Sequence, residues 1–229
     1  MREDKIKVFT YSERGIMDSL IYSLDEENAR NLISMAFTNF KKDKIAEIEF
    51  YLEQTLSQFG DPDLMISFKH GAQKILIFVE AKVSNGNKNW SLNDQYKQYK
   101  NNKCSNFFWQ MGLKMLLIDN CKSSESKLIA EGVNTKNKHI MRKRTSIKLG
   151  KNPVVHKLFN DIIKNTQEFY YLGIVPTDDK VEFTDEDKDL FGKIKYLTWR
   201  KIKDFAAENH LTELMYNFEW NKGLIFNDL

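Results

Sequence analysis

Two apolar runs separated by a glycine-bearing turn constrain this chain more than any other feature. Residues 64–68 and 75–83 are rich in Ile, Val, Phe and Leu, the composition of β-strands. Between them lies His70-Gly71-Ala72-Gln73. Glycine at the first central position is what a two-residue type II′ hairpin turn requires. With Gly71 and Ala72 as that turn, His70 pairs with Gln73, Leu64 with Val79, and Asp63 with Glu80. One face then carries Leu64, Ile66 and Phe68 against Val79, Ile77 and Ile75, with Ala81 beyond. That face is apolar throughout and is expected to be core. A one-residue slip would turn it to the opposite side, so burial specifies the register.

The same register has a chemical consequence. Directly opposed residues of an antiparallel pair have Cβ atoms roughly 4.5–5.5 Å apart, which brings the carboxylates of Asp63 and Glu80 together. Lys82 lies two residues beyond Glu80 and shares its face. Like charges directly opposite destabilise a strand pair. A hard divalent cation removes that penalty and prefers oxygen ligands. It could also lower the pKa of a bound water and screen charge on a phosphate, with Lys82 as a pre-organised positive group. The plainer alternative is a hairpin with two surface acids and a weak ion pair.

Gly60-Asp61-Pro62-Asp63 followed by Glu80-Ala81-Lys82 resembles the motif of the PD-(D/E)XK nuclease superfamily. The resemblance implies an α/β fold with a restriction-endonuclease-like core, a central mixed β-sheet flanked by helices. It implies that Asp63 and Glu80 bind Mg²⁺ or Mn²⁺ and that Lys82 assists the attacking water. Many members carry a further Glu on a helix before the hairpin. Here Tyr11-Ser12-Glu13 opens a helical stripe of Ile16, Leu20 and Leu24, with Ser12 as a plausible N-cap. Glu13 is the better candidate for that third acid and Asp18 the second. The plain alternative is that Glu13 serves only the helix dipole. After the hairpin, Gln95 and Tyr99 fit the Gln-x-x-x-Tyr pattern of RecB-like branches. Four residues apart on a helix they share a face, and the resemblance places them beside the site. The plain alternative is a polar helix face with an incidental Tyr. The motif-bearing part is about 10–103, with 104–229 an elaboration of one domain.

Charge distribution adds a partner. The formal net charge is only +3, yet 132–160 contains no acid. Within it Lys136, Lys138, Arg142, Lys143 and Arg144 form a basic stretch suited to phosphate contact. Charge runs are also commonly solvated loops. Beside a nuclease motif the expected partner is DNA, with RNA left open. A homodimer is compatible, since enzymes that cut both strands are commonly dimers. Phage defence is a setting suggested by the family alone.

The chain's 229 residues suit one domain. No run approaches the roughly 20 apolar residues of a membrane span, so no membrane partner is expected. The charged opening Met1-Arg2-Glu3-Asp4-Lys5 reads as lacking a leader. Cys104 and Cys121 are the only cysteines. They suit neither a zinc site nor a disulfide framework, and read as reduced thiols of a cytoplasmic protein.

Along the rest of the chain, 27–40 reads as a helix and 44–56 as a strand, whose Glu47 and Glu49 are reserve acids. A helix follows over 92–103. The apolar run 107–118 fits helix or strand equally. A helix over 153–165 starts near Pro153. Strands are expected over 169–175 and 194–197, and Thr198 caps a helix from Trp199 to about Glu208. The acidic run 178–189 reads as a solvated loop and helix start. No Gly-rich phosphate loop or serine-nucleophile elbow is present. Besides a metal-dependent nuclease, the sequence admits a non-catalytic nucleic-acid-binding or interaction module on the same fold.

Overall fold

The predicted hairpin is the middle of the sheet. The structure is a computed structural model that describes residues 8–101, 103, 106–122, 124–134 and 146–226. Two helices, α1 (Ser12–Tyr22) and α2 (Glu26–Ala36), lead to the strand β1 (Ile45–Leu52). The hairpin follows as β2 (Leu64–His70) and β3 (Gln73–Ala81). Its register is the expected one: His70 pairs with Gln73, Phe68 with Ile75, Ile66 with Ile77 and Leu64 with Val79. Gly71 has φ 63°, whereas Ala72 is not in the positive-φ region. This pattern matches the turn that the sequence calls for.

Next come α3 (Leu92–Lys100), α4 (Phe107–Asp119) and α5 (Glu125–Ala130). A small antiparallel pair, β4 (Val133–Asn134) and β5 (Ser146–Ile147), stands apart from the main sheet. Then α6 (Pro153–Lys157) runs into a π-helical stretch, Leu158–Ile163, before β6 (Glu168–Val175). The chain continues through α7 (Asp185–Phe191), β7 (Lys195–Thr198), α8 (Trp199–Glu208), α9 (Thr212–Trp220) and α10 (Lys222–Ile225). The main sheet has the order β1-β2-β3-β6-β7. Pairing is antiparallel from β1 to β3 and parallel from β3 to β7. The molecule is therefore α/β, a five-stranded mixed sheet flanked by helices.

Both faces of the hairpin are buried, where the sequence reading assigned only one to core. Leu64, Ile66, Phe68, Ile75, Ile77 and Val79 meet α1, α2, α8 and α9 through Ile16, Leu20, Ile33, Trp199, Phe205 and Leu214. The other face, Met65, Leu76 and Phe78, meets α3 and α4 through Tyr99, Phe107, Met111 and Met115. Strands covered on both sides read as near-continuous apolar runs rather than alternating ones, as these do.

The ambiguous run over 107–118 is α4. From Phe107 to Leu117 every residue but the half-buried Gln110 is buried. Such a helix has no polar face to reveal a 3.6-residue period. Thr198 caps α8 as expected, its hydroxyl accepting the Lys201 N–H at 3.2 Å. The expected helix over 153–165 is interrupted as a pure α-helix by the π-helical stretch. The expected helix over 27–40 ends at Ala36. Among the described residues no helix is long and apolar enough to cross a membrane.

Candidate active site

The site gathers where β3 runs out. Its first acid arrives on a turn that only glycine makes easily. Gly60 has φ 81° and ψ 169°, a region populated essentially by Gly, and it delivers Asp61-Pro62-Asp63 to the head of β2. The ladder ends at Leu64–Val79, one pair short of Asp63–Glu80. There Asp63 continues it differently: its Oδ2 accepts the Ala81 N–H at 2.7 Å. Its own carbonyl accepts the Glu53 N–H at 3.2 Å.

The Lys82 backbone is held at both its N–H and its carbonyl. Its N–H donates to the Ile174 carbonyl of β6 at 2.8 Å. Its carbonyl accepts the indole N–H of the buried Trp199 at 2.8 Å. The ammonium bridges two acids, Glu80 Oε1 at 2.9 Å and Glu13 Oε1 at 3.2 Å, and donates to the Ala81 carbonyl at 2.6 Å. Glu13 is thereby placed in the cluster from α1, and its Oε2 accepts the Val83 N–H at 3.0 Å. Ser12, expected as the N-cap, has φ 83° and lies at the first assigned helical position. Its hydroxyl faces the Gly15 N–H at a long 3.5 Å.

Sequence reasoning missed one member of the group. Lys114 of α4 is 1% exposed, and its ammonium donates to Glu80 Oε2 at 3.2 Å and to the Asp61 carbonyl at 3.5 Å. Glu80 is fully buried, each carboxylate oxygen facing a different lysine. A signal did exist. Lys114 is the one basic residue in a helix whose only other polar side chain before the last turn is Gln110, and a lysine is almost never fully buried unless paired.

The carboxylates respond in opposite directions. Burial would raise Glu80, but Lys114 and Lys82 outweigh it and hold the group below the usual range. Asp63 is pushed up to about 7 by burial, then by repulsion from Glu80 and Glu13, against the pull of Lys82 and the Ala81 N–H. Glu13 is raised by burial despite Lys82. Burial alone would lower Lys82, yet Glu80, Glu13 and Asp63 raise it. Three carboxylates against two ammonium groups leave one surplus negative charge when all are ionised. Glu13 and Glu80 each accept a hydrogen bond from an ammonium group, whereas the Asp63 carboxylate accepts one from a backbone N–H.

The remaining expected residues are placed differently. Gln95 of α3 accepts the Phe107 N–H through Oε1 at 3.1 Å, which caps the start of α4. Tyr99 is buried in an aromatic group, edge-on to Phe191 with centroids 5.1 Å apart. The site thus draws its contacts from Glu13, Asp63, Glu80, Lys82 and Lys114, while Gln95 and Tyr99 hold α3 to its neighbours. Asp18 lines a groove between α1 and α9. Glu47 pairs with Lys69, and Glu49 accepts the Tyr51 hydroxyl on the edge strand. The basic residues Lys136, Lys138, Arg142, Lys143 and Arg144, and Cys104, lie outside the described residues.

Among the described residues no three acidic, imidazole or thiol side chains stand together as a ready-made ion site. The donor set is nonetheless of the right kind for a hard divalent cation, carboxylate oxygens with surplus negative charge. No family model, curated protein or solved structure matches this chain.

Proposed function

We propose that this chain is a divalent-metal-dependent nuclease on a restriction-endonuclease-like fold, hydrolysing phosphodiester bonds, with DNA as the favoured substrate. One observation carries the reading. Glu80, Glu13, Lys82 and Lys114 form one hydrogen-bonded cluster beside Asp63, whose carboxylate accepts the Ala81 N–H, and the group holds more negative than positive charge when all are ionised. Asp63 and Glu80, supported by Glu13, would hold Mg²⁺ or Mn²⁺. Bound there, the ion would supply an acidified water and charge screening for a phosphate oxygen.

The chain's own residues contribute the rest. Glu80 stays ionised because two ammonium groups face it. Lys82 presents a fixed positive charge next to the acids, anchored by Ile174 and Trp199. Groups fixed in advance by backbone hydrogen bonds need no reorganisation as charge develops.

The test is incubation with plasmid and single-stranded DNA in Mg²⁺, Mn²⁺ or EDTA. Cleavage is expected with either metal and none in EDTA. Glu80→Ala, Asp63→Ala and Lys82→Ala are each expected to lower the rate at least about a hundredfold. Undiminished metal-dependent cleavage by the Glu80→Ala protein would sink the mechanism. A second reading, a binding module without turnover, is favoured by one feature: both Glu80 oxygens already face ammonium groups. DNA retarded but uncut under every condition would select it.

A further inference from the structure

Lys114 reaches the site from α4 and is buried, whereas Lys82, beyond the end of β3, is partly open to solvent. The Lys82 side chain is 16% exposed and that of Lys114 1%. The two ammonium groups take opposite oxygens of Glu80. Lys114 also reaches the Asp61 carbonyl. A Cβ on Gly60 would stand 3.4 Å from its Nζ, so the turn carrying Asp63 and the ammonium pack directly together.

Cohesion alone does not account for this arrangement. Replacing a buried ion pair by well-packed apolar groups is often neutral or stabilising. Methionine is close to lysine in length and would fill the same place in α4 among Phe107, Met111 and Met115. What methionine lacks is the charge at Glu80 Oε2 and the hydrogen bond to the Asp61 turn.

We propose that Lys114 is a positioning residue that stands in for a second cation. Its ammonium occupies Oε2 of Glu80 and the Asp61 carbonyl, fixing Glu80 and the Asp63 turn relative to each other. The cluster then has surplus charge for one divalent ion per chain rather than two. This rests on the metal-dependent reading proposed above.

The experiment measures Mn²⁺ binding by calorimetry and by electron paramagnetic resonance on the full chain, for wild type and Lys114→Met. Wild type is expected to take one ion. Lys114→Met removes one positive charge and is expected to bind Mn²⁺ about tenfold more tightly, equivalent to about 1.4 kcal/mol. Its melting temperature in EDTA is expected to fall below wild type and to recover in Mn²⁺. A purely structural role for Lys114 would lower the melting temperature without raising Mn²⁺ affinity, and that result overturns the proposal. Two ions per wild-type chain would also overturn it.

If Lys114→Met fails to fold, the combined Lys114→Met/Glu80→Gln variant keeps the test open. Neutralising both partners is expected to restore stability in EDTA to within a few degrees of wild type. A double variant no more stable than Glu80→Gln alone overturns the coupling. Wild-type protein that takes up no Mn²⁺ overturns the metal reading itself. Wild-type uptake that Lys114→Met merely matches overturns only the role of Lys114.

Discussion

Asp63 and Glu80 show how far two carboxylates in one cluster can diverge. Glu80 faces two lysines and lies below the ordinary range, whereas Asp63 is pushed up to about 7 from 3.8. For an acid whose folded-state pKa is raised, the folded protein binds more protons than the unfolded chain between the two values. Its contribution to stability is therefore complete below pH 4 and is lost as pH rises through about 7. In EDTA, stability attributable to Asp63 should fall by on the order of 2 kcal/mol between pH 5 and 8. Urea denaturation of wild type and Asp63→Asn measures this. Asparagine cannot ionise, so the variant should lose that part of the pH slope, and an identical slope in both proteins would refute the assignment. At this scale the sequence was largely legible. The hairpin register brought Asp63, Glu80 and Lys82 together, whereas Glu13 was named only from the family resemblance. Lys114 was not, because an apolar helix does not reveal which buried residue will face a charge on another element.

Elements were legible where a local rule determined them. Gly71 set the hairpin turn, and the turn set the register of β2 and β3. Thr198 marked the start of α8. Where the tertiary environment decided, reading was harder. The acidic run over 178–189 looked like a solvated segment, yet Asp187 of α7 is buried. Its Oδ2 accepts the Tyr96 hydroxyl at 2.6 Å, the Lys100 ammonium at 2.8 Å and the Thr184 hydroxyl at 3.0 Å. Burial would raise this group, but Lys100, Tyr96 and Thr184 together hold it low. Nothing in a string of acids distinguishes the one that turns inward to tie α7 to α3. Asp187→Ala strips the shared acceptor from all three donors. Hydrogen bonds to a charged group are worth about 1.5–3 kcal/mol, so a loss of about 2 kcal/mol is expected in chemical denaturation. Mn²⁺ affinity should not change, because none of these groups touches the Asp63–Glu80 cluster in the structure.

At the scale of the whole molecule, the sheet joins segments that are far apart in sequence. The motif-bearing stretch over 10–103 supplies β1, β2 and β3, whereas β6 and β7 come from 168–198. The parallel pairing of β3 with β6 runs from Ile75–Glu168 to Ala81–Ile174. It covers the strand that carries Glu80. Sequence patterns found β6 as an apolar run but could not assign its neighbour, since parallel partners share no connecting turn. The site depends on that distant half. The Ile174 carbonyl fixes the Lys82 N–H, Trp199 fixes the Lys82 carbonyl, and Lys114 faces Glu80. A chain ending at residue 103 would keep every motif residue and lose all three supports. It would also expose one edge of β3, together with Leu76 and Phe78, which pack in the cluster shared with α4. A small three-stranded sheet that has lost α4 from one face and α8 and α9 from the other cannot offset the entropy of ordering its chain. Such a fragment is expected to show no cooperative thermal transition and no Mn²⁺ binding. Circular dichroism melts and calorimetry check both, and a fragment that melts cooperatively and binds Mn²⁺ like the full chain would show that the motif hairpin holds its own site.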